Sequence, residues 1–253
     1  MRETVWLLFS GGWDSTFRLL QLAKEDITVQ PIYIIDETRA SREYEKKAMG
    51  DILKEIRTRD CFRADIKDVL YYKVSWIMEN CRDDNISRSF NYLRENYHLG
   101  TQYEWFALLA KKECLKLECA AGVVDQSAFE NTIKKEAEIE YIHNDFLTGR
   151  KQVLPKVGNN IGFDVFGNMI FPVMGLTKLE EGRLAEEEGW TDIMKKTWFC
   201  HTPINGKPCG VCHPCRDVME MGLEWRLPAE AQWRYRNRDK LAFKVLNKFF
   251  WKL

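Results

Sequence analysis

The sequence has no run of about eighteen consecutive apolar residues, the length a membrane-spanning helix requires. It has no charge excess either, since 38 basic residues stand against 38 acidic ones, so whole-molecule charge points to neither nucleic acid nor an acidic surface as partner. Histidine is scarce, with four residues of which His201 and His213 sit beside cysteines, and this leaves no credible Ser-His-Asp triad. The Gly-x-x-x-x-Gly-Lys-Ser/Thr pattern of a Walker loop is missing, as is the Gly-x-Gly-x-x-Gly dinucleotide fingerprint. The first absence excludes a Walker-type phosphate loop and the second argues against nicotinamide or flavin. Internal repeats, low-complexity tracts and long linkers are absent too.

What remains suits a globular enzyme. An apolar content of 45% over 253 residues supplies a core for one large α/β domain, or for one domain with a small appendage. Residues 1–4 lead into a strand-like run rather than a signal-peptide core, so a cytoplasmic protein is expected.

The most informative stretch is Ser10-Gly11-Gly12-Trp13-Asp14-Ser15-Thr16, directly after the apolar run Val5-Trp6-Leu7-Leu8-Phe9. Two glycines let the backbone turn sharply and bring its N–H groups close to an anion. Small hydroxyl residues then open a helix whose first turn carries partial positive charge. This order of strand, glycine loop and helix reads as a phosphate-gripping device. Phe17, Leu19, Leu20 and Leu22 continue it as a helix, and residues 29–35 form a second buried strand ending at Asp36. Right-handed crossover makes the two strands parallel, with their carboxyl ends on one ligand-binding edge.

Further along, residues 38–57 predict a surface helix whose apolar stripe is Tyr44, Ala48, Met49, Ile52, Leu53 and Ile56. Residues 61–98 read as helical pieces of a substrate-side insertion, and residues 102–117 as a helix. A strand over 120–124 then ends at Asp125. Residues 134–140 read as helical within a glycine-marked looped region extending to 168. Residues 169–174 form another strand. Thr177 caps the following helix with Glu180 three positions on. The expected architecture is α/β: a doubly wound, mostly parallel, Rossmann-like sheet with helices on both faces. A small cysteine loop and helical tail follow, with a boundary between residues 1–195 and 196–253.

Cysteine is plentiful, at eight residues. Cys61, Cys81, Cys114 and Cys119 are dispersed and read as small buried hydrophobes. Cys200, Cys209, Cys212 and Cys215 give C-x8-C-x2-C-x2-C, with Gly206, Pro208, Gly210 and Pro214 supplying turns. Four soft thiolates match a closed tetrahedral Zn²⁺ site of structural type; an iron–sulfur cluster is the competing reading.

The loop at residues 10–16 resembles that of the PP-loop ATP pyrophosphatases, which split ATP between its α and β phosphates to adenylate a substrate. Joined to Cys-x8-Cys-Gly-x-Cys-x2-Cys-Arg, it resembles the 7-cyano-7-deazaguanine synthase family, as do residues 171–178, the Thr197-Trp198-Phe199-Cys200 entry, Asp36, Glu45 and Ala48. The resemblance implies a homodimeric ligase of the queuosine and deazapurine pathway type. Such an enzyme uses ATP and Mg²⁺ to adenylate 7-carboxy-7-deazaguanine or a related carboxylate, which ammonia or another amine then attacks, and it carries a four-cysteine structural zinc. The family's Arg-Asn pair is replaced here by residues 100–105, Gly-Thr-Gln-Tyr-Glu-Trp, and its Tyr-Pro-Asp-Cys-Arg-type segment by residues 125–131. These departures fall where the acceptor should sit.

On this reading Ser10, Gly11, Gly12, Asp14, Ser15 and Thr16 hold the departing pyrophosphate, and Asp14 orients the loop or helps hold Mg²⁺. Lys178 is the candidate cation on the phosphates, with Asp14 and Ser15 as its catalytic companions. Asp36 meets the adenosine or a metal, or caps a helix. Asp125 is the substrate-side carboxylate, and Tyr103 and Trp105 offer stacking surfaces to a flat ring. Residues 232–253 carry seven basic residues against Asp239 alone, interleaved with aromatics, and read as an amphipathic helix docked on the domain or on a second subunit. That tail also supports a zinc-containing nucleic-acid- or protein-binding module with a vestigial ATP loop, while the resemblance to other PP-loop enzymes implies a third reading, adenylation of tRNA or another macromolecule.

Overall fold

A computed structural model describes residues 2–122, 128–143, 147 and 149–240. The chain alternates strand and helix through its first third: β1 (Thr4–Leu8), α1 (Trp13–Ala23), β2 (Thr28–Ile35) and α2 (Arg42–Arg57), then β3 (Asp65–Ile66) and β4 (Leu70–Lys73). Three helices follow, α3 (Val74–Asn80), α4 (Asp84–Tyr97) and α5 (Gln102–Lys112), before β5 (Leu117–Glu118). Next come α6 (Ala128–Glu136), β6 (Glu138–Tyr141), β7 (Lys151–Leu154), α7 (Ile161–Phe166), β8 (Met169–Phe171) and α8 (Lys178–Glu187). The last part holds α9 (Thr191–Met194), α10 (His213–Glu220), a single 3₁₀ turn at Glu224–Arg226 and α11 (Ala229–Asn237).

The strands form one sheet in the order β3-β2-β1-β5-β8-β7-β6, with β4 also paired to β2. It is parallel from β3 to β8 and antiparallel at β7 and β6. Strand β1 pairs Val5 with Val29 on one side and Leu7 with Glu118 on the other. The chain leaves β1 toward β2 and returns later to β1's opposite edge. The connection therefore reverses direction at β1, which opens a crevice at the carboxyl ends of β1 and β5.

Alternation along the strands sends side chains to two cores. Val5, Leu7, Phe9, Val29 and Tyr33 join α1, α2 and α9 on one face. Leu8, Ile32 and Leu117 join α3, α4, α5, α6 and α7 on the other. Both faces are covered, which is why these strands read as continuous apolar runs. A third, smaller apolar cluster gathers Cys200, Cys209, Cys215, Val218, Leu223, Leu227 and Ala231.

Several expectations change. The strand placed at residues 120–124 lies earlier, at Leu117–Glu118, and Ala120 to Gly122 leave the ladder through a tight turn in which Ala121 N donates to Cys119 O at 2.9 Å. The reason is Glu118, a fully buried charge that a hydrophobic pattern rejects. Its carboxylate accepts from Arg18 Nε at 2.8 Å and Nη2 at 3.1 Å, and Arg150 Nε lies 2.9 Å away. Residues 61–98 include two edge strands beside β2 in addition to helices, and residues 138–141 form β6 rather than helix. Cys81 and Cys119 are buried as expected, whereas Cys61 and Cys114 are exposed. Among the described residues no helix is long and apolar enough to cross a membrane. The expected tail helix is represented by α11; residues 241–253, like Asp125, lie outside the described residues.

Candidate functional site

The loop that the sequence predicts to be a phosphate loop, residues 10–16, sits at the carboxyl end of β1, where Phe9 N still donates to Ile32 O at 2.8 Å. Gly11 turns the chain with φ of 68°, and a Cβ there would stand 3.1 Å from Met49 N and 3.2 Å from Glu45 O, so only glycine suits the position. Gly12 then begins α1 with no side-chain cap, and its own N–H donates to Ser10 Oγ at 3.3 Å. Such a helix start leaves backbone N–H groups for an anion. The Thr16 hydroxyl beneath is fully buried and has no hydrogen-bond partner.

A cavity of about 400 Å³ opens beside this loop, lined by the ends of β1, β2 and β5. Ser10, Asp14, Ser15, Asp36, Tyr103 and Trp105 all border it, so the structure brings together most of the residues named from sequence. Asp36 accepts from Thr38 N at 3.0 Å and Thr38 Oγ1 at 2.6 Å, which gives it the turn-capping role alongside its place in the wall. One face of the Tyr103 ring is already covered by Phe129, stacked at 5.2 Å with an interplanar angle of 6°. Trp105 is the less buried of the two aromatics.

A second chamber of about 310 Å³ adjoins the first between the phosphate loop and the cysteine loop. The two share Ser10, Asp14, Arg39, Glu45 and His201. Lys178, the first residue of α8, reaches into the second chamber and pairs with Asp14 at 2.5 Å. Its position is fixed by the expected capping box: Thr177 Oγ1 accepts from Glu180 N at 3.2 Å, and Glu180 Oε2 accepts from Thr177 N at 2.7 Å.

Sequence reasoning missed Glu181, Arg39 and Arg226, and gave no role in this site to Glu45, noted only for its resemblance, or to His201, noted only beside the cysteines. Glu181 is completely buried, and neither carboxylate oxygen has a partner able to donate to it. Burial first, then Asp14 beside it, pushes its carboxyl up to about 10. A protonated Glu181 resolves the conflict by donating to Asp14. Glu45 accepts from Tyr33 Oη and Ser41 Oγ, both at 2.5 Å, and burial followed by Glu45 raises the Tyr33 phenol far above its ordinary range.

The cysteine loop forms a compact cluster. The four sulfurs lie within 4.8 Å of one another, with Cys209 Sγ to Cys215 Sγ at 3.8 Å and Cys212 Sγ to Cys200 Sγ at 3.9 Å. A tetrahedral ion with bonds near roughly 2.3 Å separates its sulfurs by about 3.8 Å, so the set fits a Zn²⁺ ion. Donors point at the sulfurs as thiolates require: Cys209 N to Cys200 Sγ at 3.2 Å, and Cys212 N, Val211 N and Thr202 Oγ1 to Cys209 Sγ at 3.2, 3.4 and 3.3 Å. Gly210 is required here, because a Cβ would fall 2.0 Å from Ala231 O on α11. From α11, Arg234 donates to Cys209 O at 2.6 Å.

The two sites are joined. Trp198 N donates to Gly11 O at 2.9 Å, Trp198 Nε1 donates to Cys200 O at 2.8 Å, and the Trp198 ring stacks on Tyr44 at 4.7 Å. The strap leading into the cysteine loop thus holds the phosphate loop from outside. Neither protein-family models nor curated proteins give a match to this chain.

Proposed function

We propose that the protein is an ATP-dependent carbon–nitrogen ligase of the PP-loop, 7-cyano-7-deazaguanine synthase type. The observation carrying this reading is the convergence of an uncapped helix start, a glycine turn and Lys178 on one cavity at the carboxyl edge of a parallel sheet.

A carboxylate resists attack by an amine because oxide is a poor leaving group and the anion repels nucleophiles. In the proposed reaction a carboxylate oxygen attacks the α-phosphorus of ATP, the α–β bond breaks, and pyrophosphate departs. The amine then attacks the acyl carbon and AMP leaves, giving an amide. A nitrile needs a second activation, at the amide oxygen. The N–H groups opening α1, with Ser15 and Lys178, balance the negative charge that grows on the leaving pyrophosphate. Mg²⁺, when bound, would neutralise phosphate charge, and Asp14, which lines both chambers, is a carboxylate placed to hold it. Zn²⁺ in the cysteine loop has all four positions filled by protein and so plays no part in generating a nucleophile.

Product analysis with ATP, ammonia and a panel of carboxylates that includes 7-carboxy-7-deazaguanine tests the reading. Carboxylate-dependent release of AMP and pyrophosphate is expected, and it should vanish in Asp14→Ala and Ser15→Ala variants that remain folded. Salt-sensitive RNA or DNA binding without any pyrophosphate release would sink the proposal in favour of a binding module.

A further inference from the structure

Arg226 lies at the end of the 3₁₀ turn beyond the cysteine loop and lines the second chamber. Its guanidinium carbon stands 4.5 Å from the centre of the Trp13 ring and 4.5 Å from that of Phe199, so the group makes cation–π contact with both rings. One nitrogen donates to Thr197 Oγ1 at 2.8 Å. Among the described residues no carboxylate lies within ion-pair distance of it. Loss of water lowers its pKa to about 10 and outweighs the opposing pull of the Asp14 charge.

The acids on the same wall are engaged elsewhere. Asp14 pairs with Lys178, Glu45 accepts from Tyr33 and Ser41, and Asp217 lies 3.1 Å from His213 Nδ1. A desolvated guanidinium with donors to spare is costly unless an anion completes it. It faces the chamber that also receives Gly12, Trp13, Asp14 and Lys178, the start of α1 and its cation. Contact with both rings restrains the planar fork, which suits two oxygens of a phosphoryl group better than an ammonium does.

We propose that Arg226 binds the pyrophosphate end of the nucleotide seated on the 10–16 loop, an anion contact supplied by the cysteine-loop side of the chamber. This rests on the ATP reading above. It predicts that one ring of the clamp comes from the phosphate loop and the other from the cysteine loop because the anion sits between them.

Titration calorimetry of the full-length, metal-loaded protein with ATP, AMP and inorganic pyrophosphate tests it. Arg226→Met keeps a stem of similar length between the rings and should weaken ATP and pyrophosphate roughly 10- to 100-fold, as expected for a charge-assisted contact. AMP should change less than about twofold, since its single phosphate does not extend to the chamber. Arg226→Lys should recover part of the loss. A folded Arg226→Met protein that binds ATP and pyrophosphate as tightly as the unaltered chain overturns the assignment and leaves the ATP reading intact, whereas an unaltered chain that binds neither overturns both. Because the variant could unfold, the unaltered protein carries a second measurement: pyrophosphate should protect Arg226 from phenylglyoxal, read by peptide mass mapping. Modification at the same rate with and without saturating pyrophosphate refutes the contact.

Discussion

Gly11 and Glu181 are the residues whose chemistry is most sharply constrained. With φ of 68° and Met49 and Glu45 backbone atoms at 3.1 to 3.2 Å from a would-be Cβ, Gly11→Ala must strain the turn and push on α2 together. A loss of about 1 to 3 kcal/mol is expected, measured as a shift in urea midpoint at unchanged slope. Glu181 makes a pH prediction. Folded, it keeps its proton up to about pH 10, whereas its ordinary value is 4.5. The folded state therefore binds more protons than the unfolded state between these values, and stability falls as pH rises through that window. Glu181→Gln should abolish this slope, leaving the variant more stable than the unaltered chain at pH 8, with the difference shrinking as pH falls toward 4.5. Denaturation at pH 4, 6 and 8 checks the sign; a variant that is equally less stable at all three would contradict it.

Elements differ in how plainly they can be read from sequence. The α8 helix was legible because its start is written locally: Thr177 and Glu180 satisfy each other's backbone within one turn. Thr177→Ala should cost about 1 kcal/mol and also loosen Lys178, raising the concentration of ATP needed for half-maximal pyrophosphate release. The glycine turn before α1, the strands β1 and β2 and the clustering of the four cysteines were legible for the same reason, as short local patterns. Strand β5 was not, because Glu118 becomes tolerable only when Arg18, one hundred positions away, folds against it. Edge strands β3 and β4 were hidden by aromatic density without a period, and their ladder exists only because β2 offers a free edge. Arg226 had no local signal at all; Trp13 and Phe199 meet it only in three dimensions.

For the whole molecule, the parallel sheet and the cysteine loop are two structures sharing one site. The loop's small core packs its own residues, and α11 is clamped on it by Arg234 and by the absence of a side chain at Gly210. Structural zinc contributes on the order of 10 kcal/mol in small domains. Cys209→Ser, or treatment with a strong chelator, should lower the melting midpoint and change tryptophan fluorescence, because Trp198 bridges Gly11 and Cys200. Elemental analysis of the purified protein should find about one zinc per chain; a protein with neither zinc nor iron would refute the metal assignment. Nucleotide binding should weaken in step with metal loss, measured by calorimetry before and after chelation.

The bond from Trp198 to Gly11 also orders events during biosynthesis. Gly11 is made before its donor, and every strand of the described sheet, β1 to β8, is translated before Trp198. A nascent chain, or one cut short by a premature stop before Trp198, carries the glycine turn without the strap that secures it. The turn at Gly11 therefore gains its outer support only in a chain translated through the entry to its cysteine segment.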